Sequence, residues 1–376
     1  MTRMCSIISR ALAALPIAAG ALAGQVSVPS DNTAYGTTAA EFLLFGAGAR
    51  GLALSGAYAA LATDVSALYY NPAGLAQLPR AGALFSSYRY IADTRYTWGG
   101  VAIPMAGGTR SFGFQVGNFG FSDQPVYTAE QPDGTGGTYG VSETFFGASY
   151  AQNVSDRFSF GVTGKFISDK LGQTSGTAVA LDFGTSFHTL ALGTRPIRAS
   201  FVIQNLGTTL RHNGVPLDAT LPREPVPGQV NVPQENQPVS LKAKDWSLPV
   251  LFRIGLALDA VAQDLAKVTV LSEFTQPNNS RPGFAIGGEF TLSDIGKSGF
   301  YVAGRGSWAY QSDNNLDVAQ SAGFVSDVSS QEHRDGLAGG FGVGYKRGAF
   351  GLGFDYAYRS LGLLGGTNIF SFAVNW

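Results

Sequence analysis

Phe350-Gly351-Leu352-Gly353-Phe354-Asp355-Tyr356-Ala357-Tyr358-Arg359 places a large apolar side chain at every second position and a small or charged one between. Successive side chains of an extended strand point to opposite faces, so this stretch has one face suited to hydrocarbon and one suited to a polar interior. The same division recurs nearby. Phe300, Val302, Trp308 and Tyr310 oppose Tyr301, Ala303, Arg305 and Ser307, and Leu337, Phe341, Val343 and Tyr345 oppose Ala338, Gly340, Gly342 and Lys346. Repeated alternation of this kind marks the strands of a transmembrane barrel.

Followed outward, the alternation resolves into fourteen strand-like segments between residue 81 and the C-terminus. An even count returns both ends of a barrel to the same side of the membrane, where connections are short turns facing longer loops at the other end. The three longest connections, 122–142, 207–246 and 311–335, all fall on one side, as that parity demands. The expected fold is all-β: a fourteen-stranded antiparallel transmembrane barrel of the outer-membrane type, spanning 81–376 and bounded by outer-membrane lipid. In the last segment Phe370, Phe372, Val374 and Trp376 alternate with Ser371, Ala373 and Asn375 up to the final residue. That ending resembles the signal by which the barrel-assembly machinery recognises its clients. A free apolar edge would invite aggregation, so this strand should close on the first.

Composition agrees with export to a membrane. Charged residues make up 14%, against roughly 25% in an ordinary globular chain, while glycine (50), phenylalanine (26) and tyrosine (15) are abundant. Arg3 and Arg10 flank the start of an apolar run, Ala11 to Ala23, that ends in the small-x-small triplet Ala21-Leu22-Ala23. This reads as a signal peptide, residues 1–23, cleaved before Gly24. Cys5, the one cysteine, lies ahead of that run and offers no lipid-attachment site. A formal net charge of −1 gives no reason to expect a nucleic-acid partner.

Residues 24–80 differ from the rest. Leu52–Ala62 reads as a short apolar helix, and Ala67–Tyr70 as a further turn stopped at Asn71-Pro72, because a residue preceding proline is steered out of helical geometry. Too short to span lipid and too apolar to stand in water, the region is expected inside the lumen as an α-helical hatch.

Within it stand Phe42-Leu43-Leu44-Phe45-Gly46-Ala47-Gly48-Ala49-Arg50-Gly51, Ser55-Gly56-Ala57-Tyr58, and Tyr69-Tyr70-Asn71-Pro72-Ala73-Gly74-Leu75-Ala76. The series resembles the N-terminus of the PorV/PorQ family, a branch of the FadL-like outer-membrane proteins. Asn71, Pro72, Ala73 and Gly74 match the hatch motif of the wider superfamily, and the preceding stretch is similar to this branch. One departure is Leu52-Ala53-Leu54-Ser55-Gly56, where many relatives carry Gly-Met-Gly. The resemblance implies a fourteen-stranded barrel with an N-terminal hatch. It also implies one of two functions: binding exported proteins at the cell surface with type IX-like secretion machinery, or uptake of long-chain fatty acids or hydrocarbons.

Candidate residues follow from both lines. The hatch turn either serves folding or moves as a gate. Lys165, Asp182, Arg198, Arg253, Asp259, Glu273, Glu289, Arg305, Asp355 and Arg359 fall on the polar faces of strands and should look into the lumen, since ionised groups are costly toward lipid. Leu52, Leu54, Tyr58, Leu61, Tyr69 and Tyr70 would line a pocket for a hydrophobic small molecule. The proline-rich loop 207–246 would be the protein-binding surface. Asp182, Ser186 and His188 share a strand face and contain the residue types of a hydrolase triad, but parallel side chains do not converge, so no enzymatic role is expected. His212 and His333 stand alone in loops, and no cofactor or metal cluster is indicated.

Overall fold

The computed structural model describes residues 36–191, 194–221, 236–311 and 336–376; the expected leader lies outside them. Its wall begins with β1 (Gly82–Arg89), β2 (Arg95–Met105), β3 (Arg110–Pro125), β4 (Thr138–Ser155), β5 (Phe158–Leu171), β6 (Thr174–Ala191) and β7 (Arg195–Gly207). It continues with β8 (Leu251–Ala262), β9 (Ala266–Pro277), β10 (Gly283–Leu292), β11 (Phe300–Gln311), β12 (Leu337–Arg347), β13 (Phe350–Ser360) and β14 (Gly366–Asn375). Every strand pairs antiparallel with its sequence neighbours, and β14 closes on β1 with Ala83 opposite Val374 and Phe85 opposite Phe372. Among the described residues, no strand of this wall is left with an unpaired edge. The fold is a closed fourteen-stranded barrel.

Outward positions carry the large apolar side chains: Phe114, Phe146, Phe166, Leu256, Phe290, Phe341 and Phe372 are all exposed. Inward positions carry glycine, small polar residues and paired charges. This is the inverse of a soluble core, and it suits a cylinder whose outside meets hydrocarbon. Phe370 and Trp376 also face outward, and the Trp376 amide donates to the Ala81 carbonyl at 3.0 Å, sealing the seam at the short-turn end.

Connections differ from the sequence reading in one respect. The segment 122–142 is largely strand, because β3 runs to Pro125 and β4 starts at Thr138, with Gln124 paired to Tyr139. Backbone pairing continues past the apolar belt, where alternation of large side chains no longer marks it. With 14 to 18 residues each, β3 to β6 make one side of the wall taller than the other. The 207–246 connection carries a small ladder of its own, Asp218–Leu221 with Gln237–Ser240. Most of 311–335, with His333, lies outside the described residues.

Residues 36–78 fill the lumen as the hatch. Helical turns occur at Ala49–Leu52, Ala67–Tyr70 and Pro72–Gln77. The helix expected over Leu52–Ala62 does not form: it stops at Leu52. Ser55 (φ 53°) and Gly56 (φ 79°) then adopt left-handed backbone geometry, which a right-handed helix cannot contain.

Candidate functional site

The hatch motif owes its shape to its own residues. Asn71 is extended (φ −162°, ψ 101°), as proline at the next position requires. Its side-chain oxygen accepts from the Ala73 amide at 3.1 Å, capping the turn Pro72–Gln77. The Asn71 amide group donates to the Ala59 carbonyl at 3.0 Å and to the Thr185 carbonyl of β6 at 3.1 Å. One side chain therefore ties the turn to the rest of the hatch and to the wall.

That wall is notched to receive it. Gly161 and Gly184, directly opposed across β5 and β6, lie against Asn71-Pro72, and a methyl group at either would overlap the turn. Gly100 of β2 and Gly113 of β3 do the same for Leu68. Gln115 donates to the Leu68 carbonyl at 2.7 Å, Asn153 to the Ala76 carbonyl at 2.9 Å, and Gln77 to Ser186 at 3.0 Å. Thus 67–77 is seated on β2 to β6.

All ten lumen charges named from the sequence face inward, and nine of them pair. Lys165 meets Asp182 at 2.7 Å, Arg198 meets Asp259 at 2.5 Å, and Arg253 meets Glu273 at 3.0 Å. Arg305 bridges Glu289 and Asp355 at 2.6 Å each. The hatch joins this network through a residue the sequence reading placed only in the family motif: Arg50 reaches Glu289 at 2.7 Å and Asp64 at 2.8 Å. Burial alone would raise the Asp64 carboxyl. Arg50 and hydrogen bonds from Ser66 and Tyr58 outweigh that and hold it below the usual carboxylate range. Desolvating such pairs offsets much of their attraction, so they fix position more than they add stability.

Arg359 is the tenth. Among the described residues no carboxylate pairs with it, and its buried Nε has no hydrogen-bond partner. It lines a cavity of about 1130 Å³ at the long-loop end of the lumen, above the hatch. Apolar side chains from both parts of the chain, including Leu44, Phe45, Tyr90, Leu251, Leu361 and Leu364, share the lining with Arg253 and Glu273. Of the six residues expected to form a pocket, only Leu52 and Tyr70 line this cavity. Leu54, Tyr58, Leu61 and Tyr69 are buried inside the hatch instead. The reason is structural: Tyr69 bonds the Gly46 amide and the Leu43 carbonyl, and Tyr58 bonds Asp64, so their hydroxyls are spent within the plug. Sequence could not reveal the remaining lining, which comes from strand ends and loops far apart in the chain.

Asp182 and Ser186, considered for catalysis, are engaged elsewhere, Asp182 with Lys165 and the Asn205 amide, Ser186 with Gln77.

No family model matches the sequence, and no curated protein does. Solved structures do match over most of their length. A mutant of the monoaromatic hydrocarbon channel TodX superposes with a TM-score of 0.51 at 11% identity, covering 88% of this chain and 98% of that one. The Ralstonia pickettii toluene transporter TbuX gives 0.50 at 12% identity (89% and 98%), and the monoaromatic hydrocarbon channel CymD gives 0.50 at 13% (88% and 96%). These structures share the barrel fold of this chain. At such identities the likeness concerns architecture, and what this barrel does rests on its own lumen.

Proposed function

We propose that the chain resides in an outer membrane and admits a hydrophobic small molecule, a long-chain fatty acid or hydrocarbon, through the cavity and past the hatch. The cavity carries this reading: a recess that mixes apolar side chains with polar and charged ones, large enough for a small ligand, lies at the long-loop end and is floored by a plug that the same chain supplies. The similar structures named above are hydrocarbon channels and toluene transporters, which supports the same direction. Arg359 favours an acid over a neutral hydrocarbon, because a guanidinium with no carboxylate partner among the described residues gains a charge-assisted bond from a carboxylate. The test is passage of labelled long-chain fatty acid and of toluene into proteoliposomes containing the full chain. Uptake of either probe above protein-free vesicles supports the reading, uptake of neither above them overturns it, and equal rates with both remove only the preference for an acid.

Exported-protein binding, as the PorV/PorQ resemblance implies, is the second reading. It draws on the motif pieces between Phe42 and Ala76 and on the built long-loop side, where tall β3 to β6 stand beside the ladder of 218–221 and 237–240. Purification of the tagged chain separates the two: exported proteins without lipid favour secretion, and bound lipid without exported proteins favours uptake.

A further inference from the structure

The barrel end opposite the long loops carries an excess of positive charge. Arg80, Arg157, Lys297 and Lys346 stand in or beside its turns, where the carboxylate side chains are Asp156, Asp264 and Asp294. Three more cations sit at strand ends: Arg110 opens β3, Arg195 opens β7 and Arg347 closes β12. Among the described residues none of these seven forms an ion pair. Lys267, the other base at this end, is spent on Asp259.

The three arginines differ from the rest in the face they occupy. Burial alternates along β3, and Arg110 shares the exposed, lipid-facing row with Phe112, Phe114 and Val116. Arg347 shares such a row with Phe341 and Val343, and Arg195 with Phe201. A cation on that row is costly within hydrocarbon, so each arginine marks the level where lipid tails give way to headgroups. The β3 row fits that level. From Arg110 to Asn118, the exposed amide that ends its apolar stretch, about 3.4 Å per residue and a tilt near 40° give a height of roughly 20 Å, close to the apolar band of about 25 Å in such barrels.

Round the closed wall, β3, β7 and β12 are four, five and five strands apart. A protein docked against one side of the wall could not reach all three, whereas lipid surrounds the barrel. Guanidinium groups make paired bonds to phosphate oxygens. A zwitterionic headgroup brings its own cation and leaves the surplus uncompensated; an acidic headgroup supplies the missing negative charge. We propose that the short-turn rim binds acidic phospholipid, with headgroup phosphates on Arg110, Arg195 and Arg347 and further headgroups held near the turn cations. This surface is separate from the cavity and independent of what the lumen admits.

Native mass spectrometry reads the preference, using the full chain in detergent with equal amounts of dioleoyl phosphatidylglycerol and dioleoyl phosphatidylcholine. The parent should retain the acidic lipid at least about fivefold over the zwitterionic one, and equal retention overturns the proposal. Arg110→Gln, Arg195→Gln and Arg347→Gln together should cut that preference at least about threefold. Arg89→Gln with Arg95→Gln, at the long-loop end, should cut it less. A preference unchanged in the triple variant, or lowered as much by the long-loop pair, overturns the assignment and leaves the rim to an acidic protein. Salt provides an arm that needs no variant to fold: raising it from about 0.1 to 1 M should weaken the parent's preference, because exposed charge contacts are screened. A preference indifferent to salt would place the lipid on the apolar wall and overturn the headgroup contacts.

Discussion

At the scale of single residues, Arg359 and Gly184 make the sharpest demands. A carboxylate on Arg359 would make a charge-assisted bond worth about 1.5–3 kcal/mol. Arg359→Met should therefore weaken long-chain acid binding roughly 10- to 100-fold while leaving a neutral aromatic unaffected, as competition between labelled acid and toluene would show. An equal loss for both probes would mean that Arg359 only shapes the wall. Gly184 fails differently. An alanine there overlaps Asn71 and Pro72, and overpacking of this kind costs about 1–3 kcal/mol. Gly184→Ala should thus free the hatch turn to limited proteolysis while the barrel itself stays protease-resistant. Asp64 adds a pH dependence with a definite sign. Its folded-state pKa is depressed, so its contribution is complete above the unfolded value of about 3.9 and is lost as pH falls through the lower folded one. Protection of the 49–61 amides, relative to their intrinsic exchange rate at each pH, should be flat through neutral pH and fall only in strong acid.

Among elements, the Arg50 clamp decides how the hatch is held. Glu289 receives both Arg50 of the hatch and Arg305 of β11, and removing one member of a buried pair costs about 3–5 kcal/mol, because the partner's charge is stranded. Glu289→Leu should raise single-channel conductance in planar bilayers through a loosened plug. Arg50→Met, Asp64→Asn and Glu289→Leu together should recover part of the seal, since Arg305 keeps Asp355 and no charge is then left alone; a triple variant leakier than Glu289→Leu alone would refute the clamp. How far sequence discloses these elements depends on what each contact leaves behind. Strand alternation is local, so Phe350–Arg359 declares both its faces unaided, and inward Lys165, Glu273 and Glu289 are legible from that period alone. The Ser55-Gly56 break is also local, yet the surrounding leucines and alanines mask it behind a helical composition. Pairing partners cannot be read this way: nothing near Arg50 names Glu289, which is 239 residues away. The seat is hidden for a further reason, because Gly161 and Gly184 look like ordinary strand glycines until Pro72 is placed against them.

For the whole molecule, the governing quantity is the sign of the outer surface. Leu256, Phe114 and Phe290 project outward at mid-wall, an arrangement that water would penalise at about 25 cal/mol per Å² and that hydrocarbon does not. Placing an arginine on the lipid face of a barrel near the bilayer midplane costs about 2–4 kcal/mol. Leu256 sits in the middle of β8 with Arg253 and Asp259 on the opposite face, so one strand supplies both arms of a test. Leu256→Arg should lower the folded fraction in lipid vesicles by that amount, scored as the heat-modifiable band on a gel. Arg253→Leu, changing charge inside the lumen, should leave insertion into vesicles intact and instead loosen residues 56–59, whose carbonyl and amide it and Glu273 hold. Insertion of Leu256→Arg as efficient as the parent would place the apolar surface against protein or water, and the lumen would then have no membrane to connect across.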